Sequence, residues 1–381
     1  MERLYSVDIL RGLAMIIMAL DHVRDFFHYA RFDPLDLTRT TAILFITRWI
    51  THHCAPVFVF LAGTGAFLAL SRGKSEKELA KFLLSRGIWL IFLELSVIRL
   101  AWFFNFEFTQ VYAMVIWAIG WSMIALAGLI FLPRWAIAVA AFGMIGLHNL
   151  FDQVSPADVG SLDRLWQILH IRSYMDLGTG IRLNIIYPLI PWIGVMAAGY
   201  LFGGFLLTEK KIRNLRLYLL GGGLIVGFIV LRALNIYGDQ HPWSVQENLL
   251  KTFLSFIDTH KYPPSLLYLM MTLGPAILVM PWLDNWRGKI GEFVRVFGRV
   301  PLFYYILHLY LIHLMALVLA WITMPDVGFI FGPFRAFPPA WGFSLWTVYL
   351  VWISVIMILY PPSKWFAELK QKRRDKWLSY L

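Results

Sequence analysis

The segment "LDHVRDFFH" sets Asp21, Arg24, Asp25 and His28 at i, i+3, i+4 and i+7, so four ionisable side chains share one helical face. His22 lies on a neighbouring face. A second polar cluster follows in "TRWITHHCAPVFVFLAG". There Arg48 and His52 are one turn apart, His53 is adjacent, and Pro56 removes an internal helix hydrogen bond beside them. Imidazoles close to carboxylates and a guanidinium can take a proton or carry an acyl group. The bland alternative is an ion-paired stripe, with Arg24 bridging Asp21 and Asp25 and the histidines bonded to backbone carbonyls. Further polar groups recur near the ends of apolar stretches: Arg99 and Asn105, Arg182 and Asn184, Arg232 and Asn235, and Pro263 to Ser265. His308 and His313 fall nearer the middle of one stretch, behind Tyr304 and Tyr305.

Other chemistries lack their residues. The one cysteine, Cys54, excludes an intrachain disulfide and a multi-cysteine zinc site. No H-E-x-x-H pattern occurs, and the cationic Arg48 beside His52 disfavours a divalent ion, so no metal is expected. There is no P-loop, dinucleotide-binding glycine pattern or G-x-S-x-G elbow.

These side chains must be positioned by apolar elements. Of 381 residues, 59% are hydrophobic and 15% charged, against about 25% charged in soluble domains. A soluble chain of this length could not bury that much apolar surface. Soluble, disordered and fibrous classes are excluded. The expected fold is all-α: a polytopic transmembrane helical bundle forming a single domain over 1–381. Apolar stretches run over 9–27, 45–70, 82–104, 111–132, 135–150, 183–207, 215–236, 265–283, 300–323 and 341–360. That is about ten spans, within a range of nine to eleven. The first does not read as a cleavable signal peptide. The loops over 151–182 and 237–262 read as ordered lids, and Gly221 to Gly223 as a site of close helix contact.

The formal net charge of +11 is an orientation signal, so no nucleic-acid partner is expected. Basic residues gather in alternate loops: Arg72 to Arg86, Arg134, Lys210 to Arg216, Arg287 to Arg299, and a tail from Lys364 to Lys376, with Arg3 and Arg11 at the start. The positive-inside rule then places both termini in the cytoplasm and the histidine clusters in the outer half. A charged or histidine side chain inside a span is a functional-site hypothesis by default. The partners expected are the lipid bilayer and a small-molecule acceptor, with a homodimer among the expected assemblies.

The pieces "RLYSVDILRG", "DHVRDFFH", "WITHHCAPVFVFLAG", "RLNIIYPLIPWIGVMAAGY" and "VFGRVPLFYYILHLYLIH" together resemble the heparan-alpha-glucosaminide N-acetyltransferase family of multi-pass membrane acyltransferases and its bacterial relatives. The resemblance implies acetyl transfer from cytoplasmic acetyl-CoA to an amino sugar, or a similar carbohydrate acceptor, across the inner (plasma) membrane. It implies a catalytic histidine just beyond the first span. His28 matches that position best, while "THHCAPVFVF" leaves His52 as the alternative. Asp25 or Asp21 would orient the imidazole. Arg48, Arg182, Asn184 and His308 would bind substrate or stabilise an oxyanion. Arg11, Arg295 and Arg299 would meet the phosphates of coenzyme A. The rival from another class is a transporter of a sugar or small anion using the same buried charges.

Overall fold

The computed structural model describes residues 4–178, 180–373 and 375–381; Arg3 and Arg374 lie outside the described residues. Nineteen named elements follow in order: α1 (Tyr5–Phe27), α2 (Ala42–Thr51), α3 (Cys54–Ser71), α4 (Glu76–Leu93), α5 (Arg99–Phe103), β1 (Gln110–Ala113), α6 (Val115–Leu129), α7 (Arg134–Gly146), α8 (Asp163–His170), β2 (Ser173–Asp176), β3 (Arg182–Ile185), α9 (Leu189–Phe202), α10 (Lys210–Leu234), α11 (Leu249–Ile257), α12 (Leu266–Leu278), α13 (Met280–Leu283), α14 (Lys289–Arg299), α15 (Pro301–Thr323) and α16 (Leu345–Lys372). The chain is 71% helical.

A helix occupies each of the ten apolar stretches. Six helical segments are long and apolar enough to cross a membrane: 42–71, 189–207, 210–234, 266–283, 301–323 and 345–372. The others differ for physical reasons. α1 and α4 carry several charged side chains, while α6 and α7 are apolar but have only 15 and 13 residues. The outward faces of α10 and α16 expose Leu219, Val226, Ile229, Leu350, Ile353 and Met357. That is the surface a lipid-facing helix presents, since its backbone polar groups are satisfied internally.

The all-α expectation needs one correction. β1, β2 and β3 form a small sheet in the order β1-β3-β2, with β1 parallel and β2 antiparallel to β3. The stretches 111–132 and 183–207 therefore start as strands. Phe104, in the left-handed region at φ 45°, ends α5 and turns the chain outward. Pro188 holds Tyr187 away from helical geometry, so α9 starts only at Leu189.

α1 is the hub, packed against α3, α14, α15 and α16. α6 lacks a capping side chain at Met114. Its first free N–H groups, on Ile116 and Trp117, donate instead to a carboxyl oxygen of the buried Glu94 at 2.8 and 3.0 Å, which takes the place of a cap. α3 and α9 are in close backbone contact. A Cβ at Gly199 would sit 2.0 Å from the Phe60 carbonyl oxygen, and one at Gly63 only 1.9 Å from that of Met196. The glycine run on α10 behaves unevenly: Gly221 meets the backbone of α12, while Gly222 and Gly223 meet nothing within 4 Å. Gly199→Ala should therefore force α3 and α9 apart and cost about 2 kcal/mol. Gly222→Ala should leave the thermal midpoint of the detergent-solubilised protein unchanged or raised. Equal midpoints for the two variants would contradict this packing.

Candidate active site

Two cavities penetrate the bundle from opposite faces. The larger, about 630 Å³, is walled by Asp21, His22, Arg24 and Asp25 of α1, by Arg48, Thr51 and His52, and by Trp102, Tyr112, Tyr187 and Tyr305. Loop residues Arg31, Arg172, Asp258, His260, Lys261 and Tyr262 close its mouth. The second, about 330 Å³, is lined by Arg11, Arg86, Arg299, Lys370 and the C-terminal Leu381 around an apolar wall from α3 and α6. Phe58, Val115 and Tyr305 line both. A thin apolar septum thus separates a polar chamber from a basic one at the face carrying both chain ends.

The ionic core of the larger cavity is Asp21. One carboxylate oxygen accepts from the Thr51 hydroxyl at 2.9 Å and forms an ion pair with Arg24 at 2.7 Å; the other accepts from Arg48. Arg24 also holds Asp25 at 2.6 Å. The helical spacing of Asp21, Arg24 and Asp25 thus forms the expected ion-paired stripe, and Arg48 joins it from α2. The Pro56 effect is realised one turn upstream. The chain breaks between α2 and α3 at His52 and His53, and the His52 carbonyl, which a residue-56 amide would have bonded, accepts the Tyr268 hydroxyl at 2.7 Å. The His52 ring is 1% exposed, and neither nitrogen has a hydrogen-bond partner in the protein.

His22 is set differently. Its Nδ1 lies 2.7 Å from Nε2 of His308, whose Nδ1 lies 3.1 Å from the Tyr304 carbonyl. A carbonyl only accepts, so His308 Nδ1 carries the hydrogen. In the neutral pair His308 Nε2 accepts from His22 Nδ1, which leaves the His22 Nε2 lone pair free. His308 therefore stands one layer behind the wall.

The remaining sequence-designated residues divide clearly. His28 ends α1; its Nδ1 accepts from the Ala30 amide at 3.1 Å, and it does not line the cavity. Arg182 stacks on Tyr174 in the sheet and Asn184 donates to the Val111 carbonyl; neither lines a cavity. Arg11 and Arg299 line the basic cavity, whereas Arg295 pairs with Glu292 at 3.0 Å and stacks on Tyr5. Sequence reasoning missed Lys261, Tyr262, Arg172 and Asp258, which come from loops without periodicity. Lys261 is 7% exposed, its ammonium 5.2 Å from the Tyr262 ring centre and 6.0 Å from that of Tyr187.

Two loop groups have shifted acidities. Burial opposes ionisation of the Tyr262 hydroxyl, yet Lys261 and Arg48 outweigh it and bring the value down to about 8. Burial pushes the Asp258 carboxyl up to about 7, Asp239 adds to the rise, and Arg232 opposes it. An acid held above its ordinary value favours the fold when protonated, so this contribution is lost as pH rises from about 4 through 7. Asp258→Asn should flatten the pH dependence of the thermal midpoint over that window. Within the ionic core, Asp21→Asn leaves Arg48 without its counter-charge and should cost about 3 kcal/mol, partly recovered by adding Arg48→Met. Denaturant titration of the single and double variants measures both; additive losses would refute the coupling.

A search of curated proteins returns no match. The family model for the catalytic region of heparan-alpha-glucosaminide N-acetyltransferase matches residues 3–237. That region includes α1 to α10, hence the ionic core, His22, His52 and most of the septum. The chain belongs to the heparan-alpha-glucosaminide N-acetyltransferase-like family of membrane transferases.

Proposed function

We propose that the protein is a transmembrane acetyltransferase that takes an acetyl group from cytoplasmic acetyl-CoA and passes it to an amino sugar or similar acceptor on the outer side of the inner membrane. The observation carrying this reading is the pair of cavities that share Phe58, Val115 and Tyr305. The donor enters the basic chamber, where Arg11, Arg86, Arg299 and Lys370 face its phosphates. The acceptor enters the polar chamber, and its amine or hydroxyl meets the thioester carbonyl at the septum.

Within that reading His22 takes the acceptor's proton at Nε2 as the nucleophile adds to the carbonyl carbon. His308 holds the tautomer, as the oriented base of an acyl-transfer triad requires. The carbonyl oxygen gains charge near Arg48 and Lys261. Collapse breaks the C–S bond, and the proton on His22 passes to the departing thiolate. His52, with its free ring nitrogens, is the alternative base, and Asp21 and Asp25 balance the cation formed in either case. His28 shapes the loop after α1. Arg182 and Asn184 act through the sheet, since Asn184 pairs in register with Tyr112 on the cavity wall.

The test is acetyl-CoA turnover by purified protein in detergent, with glucosamine as acceptor and thiol release as readout. His22→Ala should lower the rate at least ~10²-fold, and His28→Ala should retain most activity. A folded His28→Ala variant without activity would overturn the assignment of the base. Accumulation of sugar in proteoliposomes with no thiol release would overturn the enzyme in favour of the transporter.

A further inference from the structure

A second cluster lies away from both cavities, in the segment between α7 and β2. His148 belongs to a 3-10 turn (His148–Phe151) just after α7, Asp152 ends that turn, and His170 is the last residue of α8. One donor atom from each residue lies within 4.8 Å of the other two. His148 and His170 are each 2% exposed, and the Asp152 side chain 9%. None of the three lines either cavity.

The polar atoms here are oriented but not satisfied. His170 Nε2 lies 2.9 Å from the His148 carbonyl oxygen and 3.9 Å from Asp152 Oδ1; the carbonyl fixes Nε2 as the protonated nitrogen, so Nδ1 keeps the lone pair and a ring turn brings it to the ion. That Nδ1 is buried without a hydrogen-bond partner, as are both ring nitrogens of His148 and Oδ1 of Asp152. The other carboxylate oxygen of Asp152 accepts from the Asn149 amide at 2.8 Å, and Asn149 in turn accepts from the Leu266 backbone at 3.0 Å. A metal-binding imidazole commonly donates its other N–H to a backbone carbonyl, and a metal-binding carboxylate is commonly held by an amide. Both supports are present. Leaving so many buried polar atoms unpaired costs about 1–3 kcal/mol each, and a cation would satisfy three of them at once.

We propose that His148, Asp152 and His170 form a divalent-metal site, with two imidazole nitrogens, one carboxylate oxygen and a water completing a tetrahedron suited to zinc. Zinc–nitrogen bonds of about 2.0–2.1 Å bring donors to within roughly 3.4 Å of one another, so the side chains close on the ion by about 1 Å. The ion's work is structural: it ties the end of α7 to α8 and, through Asn149, to the start of α12. The tie also fixes Arg172, two residues past His170, in the mouth of the larger cavity. The sequence carries no short motif for such a site, since His148 and His170 are 22 residues apart.

The full-length protein, purified in detergent with any polyhistidine tag removed, is stripped with EDTA, loaded with ZnCl2 and desalted, and its zinc is then counted by mass spectrometry. About one zinc per chain is expected, with a raised thermal midpoint in the loaded protein. Asp152→Asn and His170→Gln should each weaken zinc at least ~10-fold in competition with a chromophoric chelator and abolish the thermal gain. Asp152→Asn is nearly isosteric, so it carries the test if an imidazole variant does not fold. His241→Ala, at the cavity mouth, should bind as the unaltered protein does. Less than about 0.2 zinc per chain, or unweakened binding by both Asp152→Asn and His170→Gln, overturns the site. Loss of zinc with His241→Ala instead would assign the ion to the cavity and overturn it equally. None of these readings depends on acetyl transfer.

Discussion

The structure depends on the charge at Asp21. Arg24, Arg48 and Thr51 converge on it from two helices, where side chains are 6–14% exposed for the three charged partners. Attraction between buried charges offsets their desolvation only with near-ideal geometry and full hydrogen bonding. The fold must therefore hold α2 firmly against α1, and it does so by breaking the helix at His52 and His53. Pro56 frees the His52 carbonyl, and Tyr268 takes it up. α12 is thereby tied to the same point, and the chamber wall becomes rigid before any ligand arrives. Preorganised dipoles and charges of this kind are what acyl transfer requires.

The chamber and its basic counterpart are unlike in chemistry for a reason that lies in the helices. α1 carries Arg11 at one end and Asp21, His22 and Arg24 at the other, separated by apolar turns. α3 repeats the separation, with His52 before it and Phe58 to Ala69 along it. Because these helices pack side by side, their polar ends coincide and their apolar middles meet. The septum of Phe58, Val115 and Tyr305 is the narrowest part of that meeting. Each of these three side chains lines both cavities, so the two chambers are one side chain apart there.

Much of this was legible in the sequence because it obeys helical periodicity. The Asp21–Arg24–Asp25 stripe and the consequence of Pro56 both follow from spacing within one helix, whereas the pairing of Arg48 with Asp21 joins two helices and does not. The helical character of the ten apolar stretches followed from composition. What escaped was set by non-local contacts. Lys261, Tyr262, Arg172 and Asp258 reach the cavity from loops, where no period links position to direction. The strands at 110–113 and 182–185 were hidden inside apolar stretches, since a four-residue strand and a helix start look alike in hydropathy. His28 follows α1 as its spacing implies, and its Nδ1 accepts from the Ala30 amide of its own loop, a contact no helical period encodes.

Arg99 and Arg232 show how that loop architecture is held. Both had the appearance of span-end arginines, which often extend only toward the membrane interface. Both are instead buried, at 3% and 1% exposure. Arg232 donates to the carbonyls of His241, Ser255, Phe256 and Asp258, and Arg99 to those of Asn105, Glu107 and Gln110. A guanidinium offers five N–H donors and cannot lose its charge, so it satisfies carbonyls left free at element ends, as at the end of α11 and the start of β1, together with those of the loops beside them. Non-helical chain near a membrane must find such partners inside the protein. Arg232 anchors the loop that delivers Asp258 to Tyr262, and Arg99 anchors the entry to β1 and Tyr112. The cavity mouth is therefore ordered by arginines at the ends of α10 and the start of α5, which explains how loop residues stand beside helix-borne ones in a single site.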